Sequence, residues 1–390
     1  MIWIRQAEGL AVTVTVSRQL TDSEEIMKNR KAILAVLLAF ALCAAILSLT
    51  LPRGKEKPMN KYSGTFFGTF DTVVSLVGYA PDEAAFQKEL KAVEDIFTRL
   101  HRIFDNYHLY EGVNNLCLLN RDAAKAPVKV DEEMFKLLSR LKNTQRAFGS
   151  GEVNVAMGSV LSLWHDAREA AQANPENARL PEDAALKAAA THTDIENLIL
   201  NEAARTVYFA DPDMKLDLGC AAKGYAAEKA AEYLDQSSMK SYIISAGGNV
   251  RAGIPPQDGR SAWGVGVQDP DNPSALIDTL FVSDTSVVTS GDYQRAFTVN
   301  GASYHHIVSP KTLAPAGDFR SVTVVTKDSA WADYLSTRLF LMSYEDGLAF
   351  LNELKTLDAW DGAEALWVLP DMSVRMTDGM KKLAKSAGAS

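Results

Sequence analysis

The stretch Lys215–Ile254, KLDLGCAAKGYAAEKAAEYLDQSSMKSYIISAGGNVRAGI, constrains this chain more than any other. It predicts a short strand (KLDL), a Gly-Cys-Ala-Ala-Lys-Gly turn, an alanine-rich helix, a second strand (SYIIS) and a glycine-rich turn. Gly219, Gly224, Gly247 and Gly248 fall at element ends, where the backbone can take positive φ or approach a ligand closely. Amides at a helix start beside Lys223 would suit a phosphate. Turns of this kind also merely connect elements, so the neighbouring segments decide the reading.

With 390 residues, 47% hydrophobic and 23% charged, the chain has ample material for a core. A formal net charge of −9 and the lack of a long Lys/Arg run speak against a nucleic-acid binder. Ala32–Leu51 is uncharged and long enough to cross a bilayer as a helix. Lys28, Arg30 and Lys31 before it favour a cytoplasmic N-terminus, although Arg53, Lys55 and Lys57 follow it. Cys43 sits mid-run after Leu42, which does not suit a lipoprotein acceptor, so an uncleaved anchor is expected. Met27 opens an ordinary export-type start, which marks residues 1–26 as a candidate over-long gene prediction within a cytoplasmic segment 1–31. Residues 52–61 form a tether, and a catalytic domain is expected over 62–385. Cys117 and Cys220 do not make a disulfide framework, and no zinc-type spacing occurs.

Along that domain, Thr65–Tyr79 predicts a strand pair or one long strand. Helices are expected over Asp82–Phe104, Asp131–Phe148, Pro181–Thr191, Ala330–Leu341 and Glu345–Leu354. Strands are expected near Leu198–Leu200, Thr206–Phe209, Trp263–Gln268, Leu280–Val282 and Ser321–Thr326. The fold class is α+β: mixed, largely antiparallel sheets with packed helices, a single catalytic domain with room for two lobes, preceded by one transmembrane helix.

Four segments carry chemistry. Asp217 precedes the Ala221-Ala222-Lys223-Gly224 turn; VVTSGDYQR (Val287–Arg295) reads as a hydroxyl-rich turn; YHHIVSPKT carries His305 and His306; and AWADYLSTRLF sets Asp333 and Thr337 four residues apart on one helix face. An acid, a hydroxyl and turn oxygens suit Mg²⁺ rather than zinc. Each feature alone is commonplace: a polar i,i+4 pair is usually a solvated face, and histidines are often just packed.

Taken in order, LDLGCAAKGYAAEKAAEYL, ISAGGNVRAGI, VTSGDYQRAF, HHIVSPKT and SVTVVTKDSAWADYLSTRLF, with FFGTFDT and NVAMGSVLSLW, closely resemble the ApbE family of FAD:protein FMN transferases. The resemblance runs from about Thr65 to Leu354. It implies that FAD is a substrate, split at its pyrophosphate so that AMP leaves and FMN is joined by a phosphoester to a Thr or Ser of an exported protein. Subunits of Rnf- or Nqr-type redox complexes are the implied acceptors, on the extracytoplasmic side of the cytoplasmic membrane. It further implies Mg²⁺ held by Asp333, Thr337 and a main-chain carbonyl near Ala222, with Asp217 bracing the turn or lying beside the metal. His306 becomes the candidate general base or a phosphate contact. Lys223 with the amides of Gly224 and Tyr225 would meet the phosphates. Gly68, Thr69, Gly248, Ser290, Gly291, Asp292 and Arg295 would line the FAD site, with Tyr107 and Trp164 as aromatic contacts.

Three positions depart from the family pattern. Ser309 stands where Asp is usual, Cys220 where a small apolar residue is usual, and FFGTFDT lacks a Met before its glycine. Competing readings are an FAD diphosphatase releasing free FMN and AMP, and a non-catalytic membrane-tethered flavin-binding protein.

Overall fold

The computed structural model describes residues 58–149, 151–357 and 360–390. The expected membrane helix at 32–51 lies outside them, and among the described residues no helix is long and apolar enough to cross a membrane. Met59–Ser390 forms one compact unit.

Its frame is an eight-stranded sheet whose spatial order follows the chain. The strands are β1 (Asn60–Thr69), β2 (Thr72–Ala80), β3 (Tyr242–Ala246), β4 (Asn249–Ala252), β5 (Thr285–Gly291), β6 (Ser321–Thr326), β7 (Glu364–Val368) and β8 (Val374–Met376). All neighbouring pairs are antiparallel. Side chains alternate between faces, so Val74, Leu76, Val288, Val322 and Val324 enter one core while Tyr79, Val287, Val325 and Leu366 enter the other. β6 is buried at every position, as expected of a central strand covered on both faces.

The first face is covered by helices. α1 (Glu83–Phe104) starts where Asp82 accepts from the Ala85 amide, and buries Phe86, Val93, Phe97 and Leu100. α2 (Glu132–Phe148) and α3 (Gly158–Ala173) follow. α4 (Ala222–Gln236) buries Ala226, Ala227, Ala230 and Ala231, small side chains that let it pack tightly beside α5 (Ser329–Phe340). The second face is covered by the hairpin Trp263–Gln268/Leu276–Val282.

Two expectations need correction. KLDL is not a strand: Lys215 makes one isolated parallel bridge to Met157, and the rest is pinned singly. The Leu216 amide donates to Asn120 Oδ1 at 2.8 Å and the Asp217 amide to the Val155 carbonyl at 2.8 Å. VVTSG is not a turn but β5, paired with β4 on one side and β6 on the other. Its hydroxyls find protein partners: Thr289 Oγ1 lies 2.8 Å from Thr323 Oγ1 in the sheet, and Ser290 Oγ lies 2.9 Å from Ser336 Oγ on the neighbouring helix.

Candidate functional site

The site begins where α4 and α5 meet. Ala221 at the start of α4 provides no side-chain cap, so the first-turn amides need other partners. The Gly224 amide donates to Asp333 Oδ2 at 2.9 Å, and one turn further on Glu228 Oε2 accepts from the Ser329 amide at 2.7 Å. Each helix thus caps the other with a carboxylate, placed at the positive end of its dipole. Only glycine permits this approach, because a Cβ at Gly224 would lie 2.2 Å from the Ser329 carbonyl oxygen and 2.7 Å from Asp333 Cβ. Asp333 is 4% exposed, and among the described residues no Lys, Arg or His comes within ion-pair distance of it.

Asp333 and Thr337 open into a chamber that also takes in Ser290, Thr289, Gly291, Gly247, Cys220 and Glu152. Ser290 Oγ lies 2.9 Å from Ser336 Oγ and 3.5 Å from Thr337 Oγ1, and Thr337 donates to the Asp333 carbonyl at 3.2 Å. This is a set of hard oxygen donors around one buried, uncompensated carboxylate, and it fits a Mg²⁺-sized cation. Burial holds the Cys220 thiol well above its ordinary pKa, which makes it a poor ligand here.

A second, aromatic chamber of about 1060 Å³, counting the solvent at its mouth, adjoins the first. Phe70, Phe104, Tyr107, Trp164 and Phe297 contribute to its walls. Tyr107 stacks on His165 with ring centroids 4.2 Å apart, and Trp164 donates to the Leu313 carbonyl at 2.9 Å. Asp217, Gly219, Lys223 and His306 line both chambers and form their shared wall. Lys223 has no carboxylate within ion-pair distance among the described residues, so its ammonium faces the cleft unpaired, with Asp217 acting on it only from beyond that distance. Asp217 accepts from the Gly219 amide at 2.8 Å, and desolvation in the cleft still raises its pKa.

His306 reaches solvent through the cleft, with Nδ1 3.1 Å from the Gln294 carbonyl oxygen. A carbonyl can only accept, so in the neutral ring Nδ1 carries the proton and Nε2 keeps its lone pair. Desolvation, then the Arg295 and Lys223 charges, push the imidazole down to about 3. His305 is instead buried, 2.6 Å from the Ala316 carbonyl oxygen.

Several expected residues stand elsewhere. Asp292 accepts from Arg320 Nε at 2.7 Å and lines neither chamber. Thr69 is 2% exposed and lines neither chamber, nor do Gly68 and Gly248. Their neighbours do: Phe70, Asp71 and Gly247. Phe70 and Asp71 are the two central residues of the β1–β2 turn, both at φ 52, and Arg295 Nη2 donates to the Phe70 carbonyl at 3.1 Å. Tyr225 turns away and donates to Glu133 at 2.6 Å, while its amide bonds to the Ala221 carbonyl at 2.8 Å. With the Gly224 amide held by Asp333, neither amide is left for a phosphate, and Lys223 alone of that trio faces the cleft. Ala222 lines the aromatic chamber next to it. The sequence reading missed Asp105, His165, Arg168 and Glu152. His165 and Arg168 sit one helical turn apart on α3, a spacing shared with any solvated face.

The ApbE family model matches residues 70–360. An FAD:protein FMN transferase of Treponema pallidum is 35% identical over 305 residues, 74% of this chain and 80% of the relative. One from Klebsiella pneumoniae is 30% identical over 300 residues, 76% of this chain and 87% of the relative. The crystal structure of the ApbE protein from Thermotoga maritima superposes with a TM-score of 0.72 at 28% identity, covering 83% of this chain and 99% of that one.

Proposed function

Because the chain belongs to the ApbE family, we propose that it is an FAD:protein FMN transferase acting on exported acceptor proteins. The observation that carries this reading is the shared wall: an unpaired Lys223 stands between an aromatic chamber and an oxygen-lined one holding an unneutralised Asp333. A dinucleotide with two aromatic ends and a diphosphate between them matches that division.

Lys223 binds the diphosphate, and Arg295 adds positive charge at the aromatic side. Tyr107 and Trp164 offer flat faces to a ring system. Asp333, Thr337 and a main-chain oxygen near Ala222 would hold Mg²⁺, with Ser290 beside them. When bound, that ion supplies charge neutralisation at the diphosphate. With the diphosphate set against Lys223 and Arg295, the two cations that depress its basicity in the free protein, His306, with Nδ1 fixed by the Gln294 carbonyl, takes the proton of the acceptor Thr or Ser hydroxyl on Nε2. The acceptor oxygen then forms a bond to the FMN phosphorus as the bond from that phosphorus to the AMP oxygen breaks. AMP departs, and FMN stays on the acceptor as a phosphoester. Asp217 braces the turn that presents Lys223 by accepting from Gly219.

The apolar run at 32–51 supports a catalytic unit tethered to the cytoplasmic membrane and working outside it, where subunits of Rnf- or Nqr-type complexes would be its acceptors. Incubating the protein with FAD, Mg²⁺ and such an acceptor domain, and recording intact mass, tests the reading. A chelator-sensitive gain of one FMN, lost when the acceptor Thr is replaced, is expected. Free FMN and AMP without any acceptor gain would assign the protein to FAD hydrolysis instead.

A further inference from the structure

We propose that Glu152 is a positioning residue for FMN transfer: it holds the loop that carries His306 against the helix that carries Asp333 and Thr337. The inference rests on the transfer reaction above. There, His306 takes the proton of the attacking hydroxyl while Asp333 and Thr337 hold the cation that neutralises the diphosphate. The two can serve one phosphorus only if their separation is fixed. Yet His306 lies in the loop after the hairpin Phe297–Val299/Ala302–Tyr304, and Asp333 and Thr337 belong to α5. They reach the oxygen-lined chamber from different parts of the chain.

Glu152 lines the same chamber, and each of its oxygens meets a cation from one of these two segments. Oε2 lies 2.8 Å from Nη2 of Arg338, the residue after Thr337 in α5. Oε1 accepts from Nζ of Lys311, in the His306 loop, at 2.9 Å. The Arg338 side is a rigid anchor. Arg338 is 4% exposed, donates to the Phe148 carbonyl at 2.8 Å and the Gly149 carbonyl at 3.3 Å, and lies 4.7 Å over the Phe350 ring. α2 ends at Phe148, so the guanidinium supplies donors to carbonyls that a helix end leaves unpaired.

On the other side, His306 and Lys311 share one tight loop. The Ala316 amide donates to the Ile307 carbonyl at 3.1 Å, the Ser309 amide to the Ala314 carbonyl at 2.9 Å, and the Lys311 amide to Ser309 Oγ at 3.2 Å. A tie at Lys311 is therefore a tie on His306. With both oxygens engaged, Glu152 differs from Asp333 beside it, whose charge no cation meets, and acts as a strut rather than as a further ligand. The Lys311 side chain is 65% exposed. An ion pair so open to water adds little to stability. What it contributes is geometry, and its loss should leave the fold intact.

The test compares the full-length protein with Lys311→Met, Lys311→Arg, Glu152→Gln and the double variant Glu152→Gln/Lys311→Met. Lys311 itself lines neither chamber. Single-turnover FMN transfer to the extracytoplasmic domain of an Rnf-type acceptor subunit is timed, and binding of FAD and of Mn²⁺ in place of Mg²⁺ is titrated. Lys311→Met and Glu152→Gln should each slow transfer about tenfold, with FAD and Mn²⁺ affinities close to wild type. Lys311→Met should also keep the wild-type melting temperature. Lys311→Arg, which leaves a cation in reach of Glu152, should recover most of the rate. The double variant should be no slower than Glu152→Gln, because the tie is already cut. Full-rate transfer by Lys311→Met overturns the proposal. So does a double variant that shows the product of the two single losses, since Lys311 would then act without Glu152. Weakened Mn²⁺ binding in Glu152→Gln overturns it too, by making Glu152 a cation ligand. If the wild-type protein releases free FMN and leaves the acceptor unmodified, it is the transferase reading that fails.

Discussion

His306 shows how a site sets a single side chain. Its ring keeps Nδ1 on the Gln294 carbonyl, and desolvation with two nearby cations holds its pKa at about 3 against an ordinary 6.5. In the free protein the ring is therefore neutral across the physiological range, and its NMR signals should show no titration between pH 5 and pH 8. A midpoint near 6.5 would refute the desolvated placement. The same shift has a sign for stability. The unfolded chain binds this proton more readily, so the His306 contribution is constant above pH 6.5 and erodes stability as pH falls from 6.5 towards 3. Asp333 carries the second prediction at this scale. Asp333→Asn keeps an acceptor for the Gly224 amide but removes the charge, so the helices should stay docked while the cation is lost. FMN transfer should drop by more than the roughly 10- to 100-fold that loss of an outer metal partner costs. Mg²⁺ should raise the melting temperature of the wild-type protein and leave that of the variant unmoved. An equal Mg²⁺ response in both would show that the cation sits elsewhere.

At the scale of elements, two glycines predict opposite things. Gly224→Ala forces a methyl against the Ser329 carbonyl and Asp333 Cβ, so it should cost about 1–3 kcal/mol in denaturant unfolding and also depress transfer by moving Asp333. Gly301, at φ +82 in the turn of the hairpin Phe297–Val299/Ala302–Tyr304, has nothing within 4 Å of where a methyl would stand. Gly301→Ala should cost about 1–2 kcal/mol through backbone strain alone, with transfer intact. The same contrast explains what the sequence could reveal. α1, α4 and β6 were legible because periodicity and caps pointed one way: Asp82 before an apolar stripe, alanines after a glycine turn, five β-formers in a row after Ser321. β5 was not, because its hydroxyls and glycine imitate a turn until Thr323 and Ser336 are seen to receive them. β7 and β8 gave no alternating signal strong enough to stand out. In the site, the Asp333–Thr337 spacing and Lys223 were visible. His165 and Asp105 were not, since their meaning comes only from Tyr107 being stacked on one and held by the other.

On the scale of the whole molecule, every residue lining the two chambers falls between Phe70 and Leu341, inside the compact unit Met59–Ser390. That unit, expressed without the residues before it, should fold and transfer FMN in solution at a rate comparable to the full chain. A fragment that melts without cooperativity, or folds but is inactive, would show that the residues before it contribute to folding or transfer. The reciprocal caps between α4 and α5 reach further. Gly224 with Glu228, and Ser329 with Asp333, lie about a hundred residues apart in the chain, yet each pair completes the other's helix start. The two segments are in effect one heritable unit. A recombinant that took either from a distant relative, and not both, would inherit a lock without its key.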